Sequence, residues 1–152
     1  MSREAIVAAL LIWAVLVAIV DWRSRKVPNL LLLAVLLPAG AVCFWRGQGL
    51  LGVSLPGSFI GLVVALLLTL PGYLVSRFGA GDVKLAAVMG FLQGSDAVLL
   101  SLLLAALLLG AMSLLMVLQL GLESARKLRL PAAVALSGGF VGVLLVSYWG
   151  NL

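Results

Sequence analysis

The sequence leaves little chemistry to choose from. It holds no histidine, one cysteine and five acidic residues: Glu4, Asp21, Asp82, Asp96 and Glu123. Without histidine, Cys43 has no partner to activate it as a nucleophile, and neither a disulfide framework nor a zinc site built from Cys and His can be assembled. Cys43 lies inside an apolar stretch and reads as a small packing residue, the usual role of a free cysteine. Carboxylate, hydroxyl or lysine chemistry remains. Asp21 falls in the last turn of an apolar segment, where the helix macrodipole disfavours a negative charge and Arg23 or Arg25 relieves it only in part. Asp82 ends the run Gly79-Ala80-Gly81-Asp82 and opens another helix. Two carboxyl groups sharing one site divide a proton, since two ionised groups about 3 Å apart repel strongly. One can then act as base on a water molecule while the other, protonated, polarises a carbonyl, and the pair titrates jointly. A plainer reading uses the same residues: two interfacial aspartates that cap helices and balance arginines, with glycines serving an ordinary tight turn. Glu4, Asp96 and Glu123 read as solvated ends or caps. Asp96 in particular follows Gly94-Ser95 and precedes an apolar run, an N-cap pattern.

The elements that must position these acids are apolar. The 152 residues are 64% hydrophobic and 10% charged, with a mean hydropathy of +1.30. Soluble domains are about 45–50% apolar and about 25% charged, so long apolar runs place this chain in a bilayer. The expected fold is all-α: a polytopic integral membrane protein of about six transmembrane helices, formed by 1–152 as one membrane-embedded domain. The segments are 4–22, 28–45, 58–76, 83–93, 97–122 and 131–149. Because apolar segments recur to the end, the first reads as a retained span and not a cleaved signal. Trp22, Trp45, Tyr148 and Trp149 stand at segment ends, as an interfacial belt requires. The fourth segment is short, rising about 16 Å. It either re-enters or crosses a locally thinned bilayer through Gly94 and Ser95.

The charges choose. If all six segments cross, Arg23, Arg25, Lys26, Arg77, Lys84, Arg126, Lys127 and Arg129 share one side and only Arg3 and Arg46 take the other. A re-entrant fourth segment spoils this asymmetry. By the positive-inside rule the side carrying both Asp21 and Asp82 is cytoplasmic. The net charge of +5 therefore belongs to short loops between spans, which argues against nucleic acid as a partner.

The run Gly79-Ala80-Gly81-Asp82-Val83-Lys84-Leu85-Ala86-Ala87-Val88-Met89-Gly90 resembles the glycine-x-glycine-aspartate signature of the type IV prepilin peptidases, membrane aspartyl proteases. Asp21-Trp22-Arg23-Ser24-Arg25-Lys26-Val27-Pro28-Asn29 is similar to the family's other motif, an aspartate ending the first helix with Pro-Asn or Pro-Asp after it. Two motifs in the right order on one side are far more specific than either alone. The resemblance implies that Asp21 and Asp82 are catalytic, with Gly79, Gly81, Lys84, Pro28 and Asn29 shaping the site. Lys84 reads either as a counter-charge near the pair or as a lipid headgroup contact, and Pro28 and Asn29 as residues shaping the first hairpin. Ala86, Gly90 and Gly94, at intervals of four from Asp82, form a small-residue stripe expected to hold Asp82 against the first helix.

What the resemblance implies about function is specific. The protein would be an endopeptidase of the bacterial inner membrane that removes the leader from a prepilin or pseudopilin at the cytoplasmic face for pilus assembly. It would need no cofactor and no metal, and its partners would be that substrate and membrane lipid. Longer members carry a cytoplasmic insertion with paired CxxC motifs associated with N-methylation. This sequence has neither, so it resembles the short, peptidase-only branch found with Tad/Flp pilus systems. The alternative from another class is a small proton- or cation-coupled transporter or a pilus-assembly membrane component, with the same aspartates as ion sites. The acids at the membrane edge and the lack of a visible inverted repeat argue against it.

Overall fold

The computed structural model describes residues 2–75, 78–121 and 130–150. Five helices follow one another: α1 (Arg3–Ser24), α2 (Asn29–Arg46), α3 (Leu55–Leu74), α4 (Ala80–Leu120) and α5 (Ala132–Trp149). All five are long and apolar enough to cross a membrane. Among the described residues the only extended pairing is an isolated bridge between Gln48 and Ser54. The ends follow from local chemistry. Ser2 and Ser54 cap α1 and α3 by accepting from the N–H groups of Ala5 and Gly57, each at 3.3 Å, which satisfies donors that a helix start leaves open. Gly47 closes α2 at φ 69°. Arg25 closes α1 at φ 49°, a left-handed conformation uncommon outside glycine, and its N–H donates to Asp21 O at 2.7 Å.

The all-helical expectation holds; the described residues form five helical elements where about six were expected, because the expected fourth and fifth segments run together across a break. The expected fourth and fifth segments are one continuous element, α4, broken only at Gly94, whose φ of 78° and ψ of −178° are non-helical. Gly94 takes the position that Asp96 was expected to hold, and Asp96 falls in the first turn beyond the break, where Ser95 Oγ donates to its Oδ1 at 3.2 Å. The break turns the chain back. Residues 80–93 leave the end of the bundle where Gly81 meets Val27 and arrive at Gly94 beside Val53. Beyond it, Leu104, Ala105 and Leu108 meet Gly142, Gly139 and Gly138 of α5 in descending order, so this limb runs antiparallel to α5. The first limb rises only about 20 Å. From Leu85 to Gly94 each of its residues is buried, the behaviour of a helix surrounded by others. Its length is set by the non-helical Gly94 that ends it.

Close approach of backbones makes that burial workable. A Cβ at Gly61 of α3 would collide with the carbonyl oxygen of Gly90, and one at Gly90 with the carbonyl oxygen of Gly61. The small-residue stripe therefore packs on α3, and the expectation that it holds Asp82 against the first helix is corrected. Its reason is steric: only Gly61 and Ala65 leave room for two helix axes to approach this closely. On the other side, α1 buries Val7, Leu10, Trp13, Ala14 and Val17. The Trp13 ring meets Phe140 edge-on at 5.8 Å, and its indole N–H donates to Leu31 O at 2.8 Å. One side chain thereby ties α1 to both α5 and α2.

The outer surface is as apolar as the core. Ile12, Leu37, Leu67, Leu107, Leu114 and Leu118 are all more than half exposed, a surface that water would penalise and lipid would not. The described basic residues Arg23, Arg25, Lys26 and Lys84 gather at the Gly81–Val27 end, whereas Arg3 stands over the Tyr148 ring at the other. Arg77, Arg126, Lys127 and Arg129, which completed the expected asymmetry, lie outside the described residues, as does Glu123.

The crossing yields a direct test. Gly61→Ala is expected to cost at least about 2 kcal/mol, since its Cβ meets backbone that cannot move aside. Gly40→Ala, whose Cβ meets nothing within 4 Å, should be neutral or stabilising by up to about 1 kcal/mol through helix propensity. Thermal unfolding of the two variants in the same detergent compares them.

Candidate active site

Asp21 is buried, with 4% of its surface accessible, although it sits at the unfavourable end of its own helix. The compensation comes from 112 residues away: Asp21 Oδ2 accepts from the Ala133 backbone N–H at 3.1 Å, and the Val134 N–H acts on the same carboxyl. Ala133 and Val134 belong to the first turn of α5, whose N-cap residue, Pro131, provides no side-chain cap. Asp21 therefore caps a second helix. The positive N-terminal end of α5 replaces the stabilisation that the C-terminal end of α1 denies. The Arg25 guanidinium adds a further electrostatic interaction.

Asp82 reaches an equivalent setting by a local route. It is half-buried in the first turn of α4, and its Oδ2 accepts from the Gly79 N–H at 2.9 Å. This is the reciprocal half of a capping box, the half a glycine N-cap leaves available. The glycines have separate tasks. A Cβ at Gly79 would stand 3.3 Å from Asp82 Oδ2 and crowd the cap, whereas one at Gly81 would stand 3.1 Å from Val27 Cβ and 3.4 Å from Val27 N. Gly79 keeps room for the carboxylate, and Gly81 lets the turn after α1 lie directly on the start of α4.

The two motifs meet at this point. Val27 packs on Gly81, and Lys84 Nζ donates to Asn29 Oδ1 at 3.1 Å across 55 residues of sequence. Pro28, at φ −69°, opens α2 and accepts from the Leu31 N–H at 3.1 Å. Asp21 and Asp82 are close enough for their charges to interact. All seven residues expected at the site thus gather at one end of the bundle: Asp21, Pro28, Asn29, Gly79, Gly81, Asp82 and Lys84. Of the two readings of Lys84, counter-charge or headgroup contact, neither describes its hydrogen bond, which is to Asn29. Each carboxyl group sits on the N-terminus of a helix, α5 for Asp21 and α4 for Asp82. These positive ends offset the repulsion between two acids held in one place. An open groove of about 290 Å³ lies along the outer side of α1, lined by Val15, Ala18, Ile19, Trp22 and Arg23 and by Val134 of α5; neither acid lines it.

Sequence reasoning missed the part played by α5. The available signal was Pro131-Ala132-Ala133, a helix start with no side chain able to cap it, which requires an acceptor from elsewhere. It also missed Gln93, buried at the Gly94 break, which accepts from Ser101 Oγ at 2.8 Å and donates to Phe140 O at 3.5 Å. These bonds satisfy polar atoms where the helix is interrupted.

Fold and site together describe a multi-pass helical membrane protein with two carboxyl groups gathered at one end. Residues 8–115 match the model of the type IV leader peptidase family, and the chain belongs to that family. No curated protein and no solved structure matches it.

The cap separates two roles of Asp21. Asp21→Ala leaves the α5 N-terminus unsatisfied and should cost about 1–3 kcal/mol. Asp21→Asn keeps a carbonyl oxygen for the Ala133 N–H and should lose less than half of that. Thermal midpoints in detergent for the two variants measure the difference.

Proposed function

We propose that the protein is a prepilin leader peptidase of the aspartyl type, with Asp21 and Asp82 as its catalytic pair. The observation that carries this reading is the meeting of both motifs at one end of the bundle, with the two carboxyl groups close enough for their charges to interact, in a chain of the leader peptidase family. The substrate is a prepilin or pseudopilin with a short hydrophilic leader in the cytoplasm and an apolar helix in the membrane. Its helix packs beside the enzyme, in contact with the same lipid, and presents an extended strand at the interface.

The chemistry is general acid–base hydrolysis. One carboxylate takes a proton from water as the oxygen attacks the scissile carbonyl, while the protonated partner hydrogen-bonds the carbonyl oxygen. The tetrahedral intermediate collapses with cleavage of the C–N bond, and a proton passes to the leaving amine. Neither step draws on a metal or organic cofactor. Gly79 and Gly81 admit the substrate strand and the turn after α1, and Pro28 and Asn29 shape that turn. The single cysteine of the sequence provides no CxxC pairs, so the protein cleaves without methylating the new N-terminus, as in the Tad/Flp branch. The whole chain acts as one membrane-embedded domain in the inner membrane, with the site on the cytoplasmic side.

Co-expression with candidate prepilins tests the reading. Asp21→Asn and Asp82→Asn should insert normally and lower cleavage at least about a hundredfold each, the scale of removing an acid–base group, as followed by gel shift. Full processing with either variant would sink the proposal. So would topology mapping that places residues 21 and 82 on opposite membrane faces.

A further inference from the structure

The helices that carry the two acids hardly pack on each other. The extensive helix contacts are α3 with α4, α4 with α5 and α1 with α5, with smaller ones between α2 and α4 and between α1 and α2. The distance between Asp21 and Asp82 is therefore set by intermediaries. One runs through α5, whose first turn holds Asp21. The other runs through the turn after α1 and consists of the Val27–Gly81 contact and the Lys84–Asn29 hydrogen bond.

The turn itself is well determined. Arg25 closes α1 in the left-handed region, Ser24 Oγ lies 2.7 Å from Val20 O and 3.2 Å from Lys26 O, and Val27 packs against the edge of the hydrophobic core. A determined turn transmits the position of whatever anchors its far end. Asn29 is the first residue of α2, and Lys84 lies two residues beyond Asp82 on the same helical turn. The ammonium group is spent on the amide oxygen of the other motif.

We propose that the Lys84–Asn29 hydrogen bond is a clasp that fixes the spacing of the Asp21 and Asp82 carboxyl groups, making Lys84 and Asn29 positioning residues for hydrolysis. It deepens the peptidase reading and rests on it for its effect on rate. The bond is exposed, and exposed polar pairs contribute little to global stability. The bundle core lies in other residues, so the variants will fold. Misplacement of a catalytic group by about 1 Å can cost about a hundredfold in rate, so the clasp can matter to turnover while hardly mattering to the fold.

Two measurements decide it. In a cleavage assay with purified protein and a prepilin, Lys84→Met and Asn29→Ala should each lower kcat by about tenfold or more and leave KM within about twofold. Lys84→Arg should recover most of the loss, and the double variant should be no slower than the worse single, as for partners in one interaction. Spin labels at Lys26→Cys and Ala80→Cys, both exposed, in a Cys43→Ser background should show a distance distribution that broadens on adding Lys84→Met. An unchanged distribution overturns the clasp, and so does a loss confined to Lys84 variants, which would mean that its charge acts alone. If the unmodified protein cleaves nothing, the peptidase reading fails by itself, and the spin-label distances still decide the clasp.

Discussion

The site end of the bundle depends on one hydrogen bond between distant parts of the chain, from the Ala133 N–H to Asp21. A carboxyl group at the C-terminal end of an apolar helix is in the wrong place twice. It faces the negative end of its own helix, and it is nearly excluded from water. A buried, unpartnered carboxylate costs several kcal/mol. The start of α5 has the converse defect, with open N–H groups and no side chain of its own to receive them. Each cancels the other, so α1 and α5 dock with Asp21 at a fixed depth. Trp13 and Phe140, two turns further along, then fall into register.

The same arithmetic of helix ends governs Asp82, with a different origin. Its partner is the N-terminus of its own helix, reached through the Gly79 N–H. Two acids with opposite positions on their helices thus experience the same polarity of backbone. That equivalence lets both occupy one end of a membrane bundle without either being driven out into water. Backbone N–H groups meet both carboxyls, those of Ala133 and Val134 at Asp21 and that of Gly79 at Asp82.

How much of this was legible depended on the range of each interaction. Asp82 with Gly79 and Gly81 is local, and a glycine–x–glycine run before an acid in a helix start announces its geometry directly. The apolar runs gave the helices, because hydropathy responds to composition and needs no partner. The break at Gly94 was half visible. A Gly-Ser-Asp sequence marked an interruption, but whether a new helix starts at Asp96 or the old one turns at Gly94 is decided by Val53 and Gly57, which crowd that glycine. The packing of Gly90 on Gly61 and the capping of α5 by Asp21 were not legible. Both depend on which helix lies beside which, and one sequence of uniformly apolar segments does not encode that in its pattern. The family match ends at residue 115, so the α5 residues that hold Asp21 lie beyond it.

Fold and candidate site are consequently secured by different forces. Between the helices, packing is close and depends on small residues: Gly61 on Gly90, Gly139 on Ser101, and Ala65 and Ala105 beside them. These contacts are insensitive to charge, and they fix helix axes more firmly than they fix side chains. At the acidic end the ties are polar and few: the buried α5 cap, and the more exposed Gly79 N–H and Lys84–Asn29 bonds. In lipid, burying more apolar surface brings helices no hydrophobic gain, because lipid tails already solvate it. Directional bonds are then the means left to place two carboxyl groups to within the fraction of an ångström that acid–base chemistry demands. A bundle built this way can lose catalytic geometry without losing its fold, and can lose its fold at a glycine far from any acid.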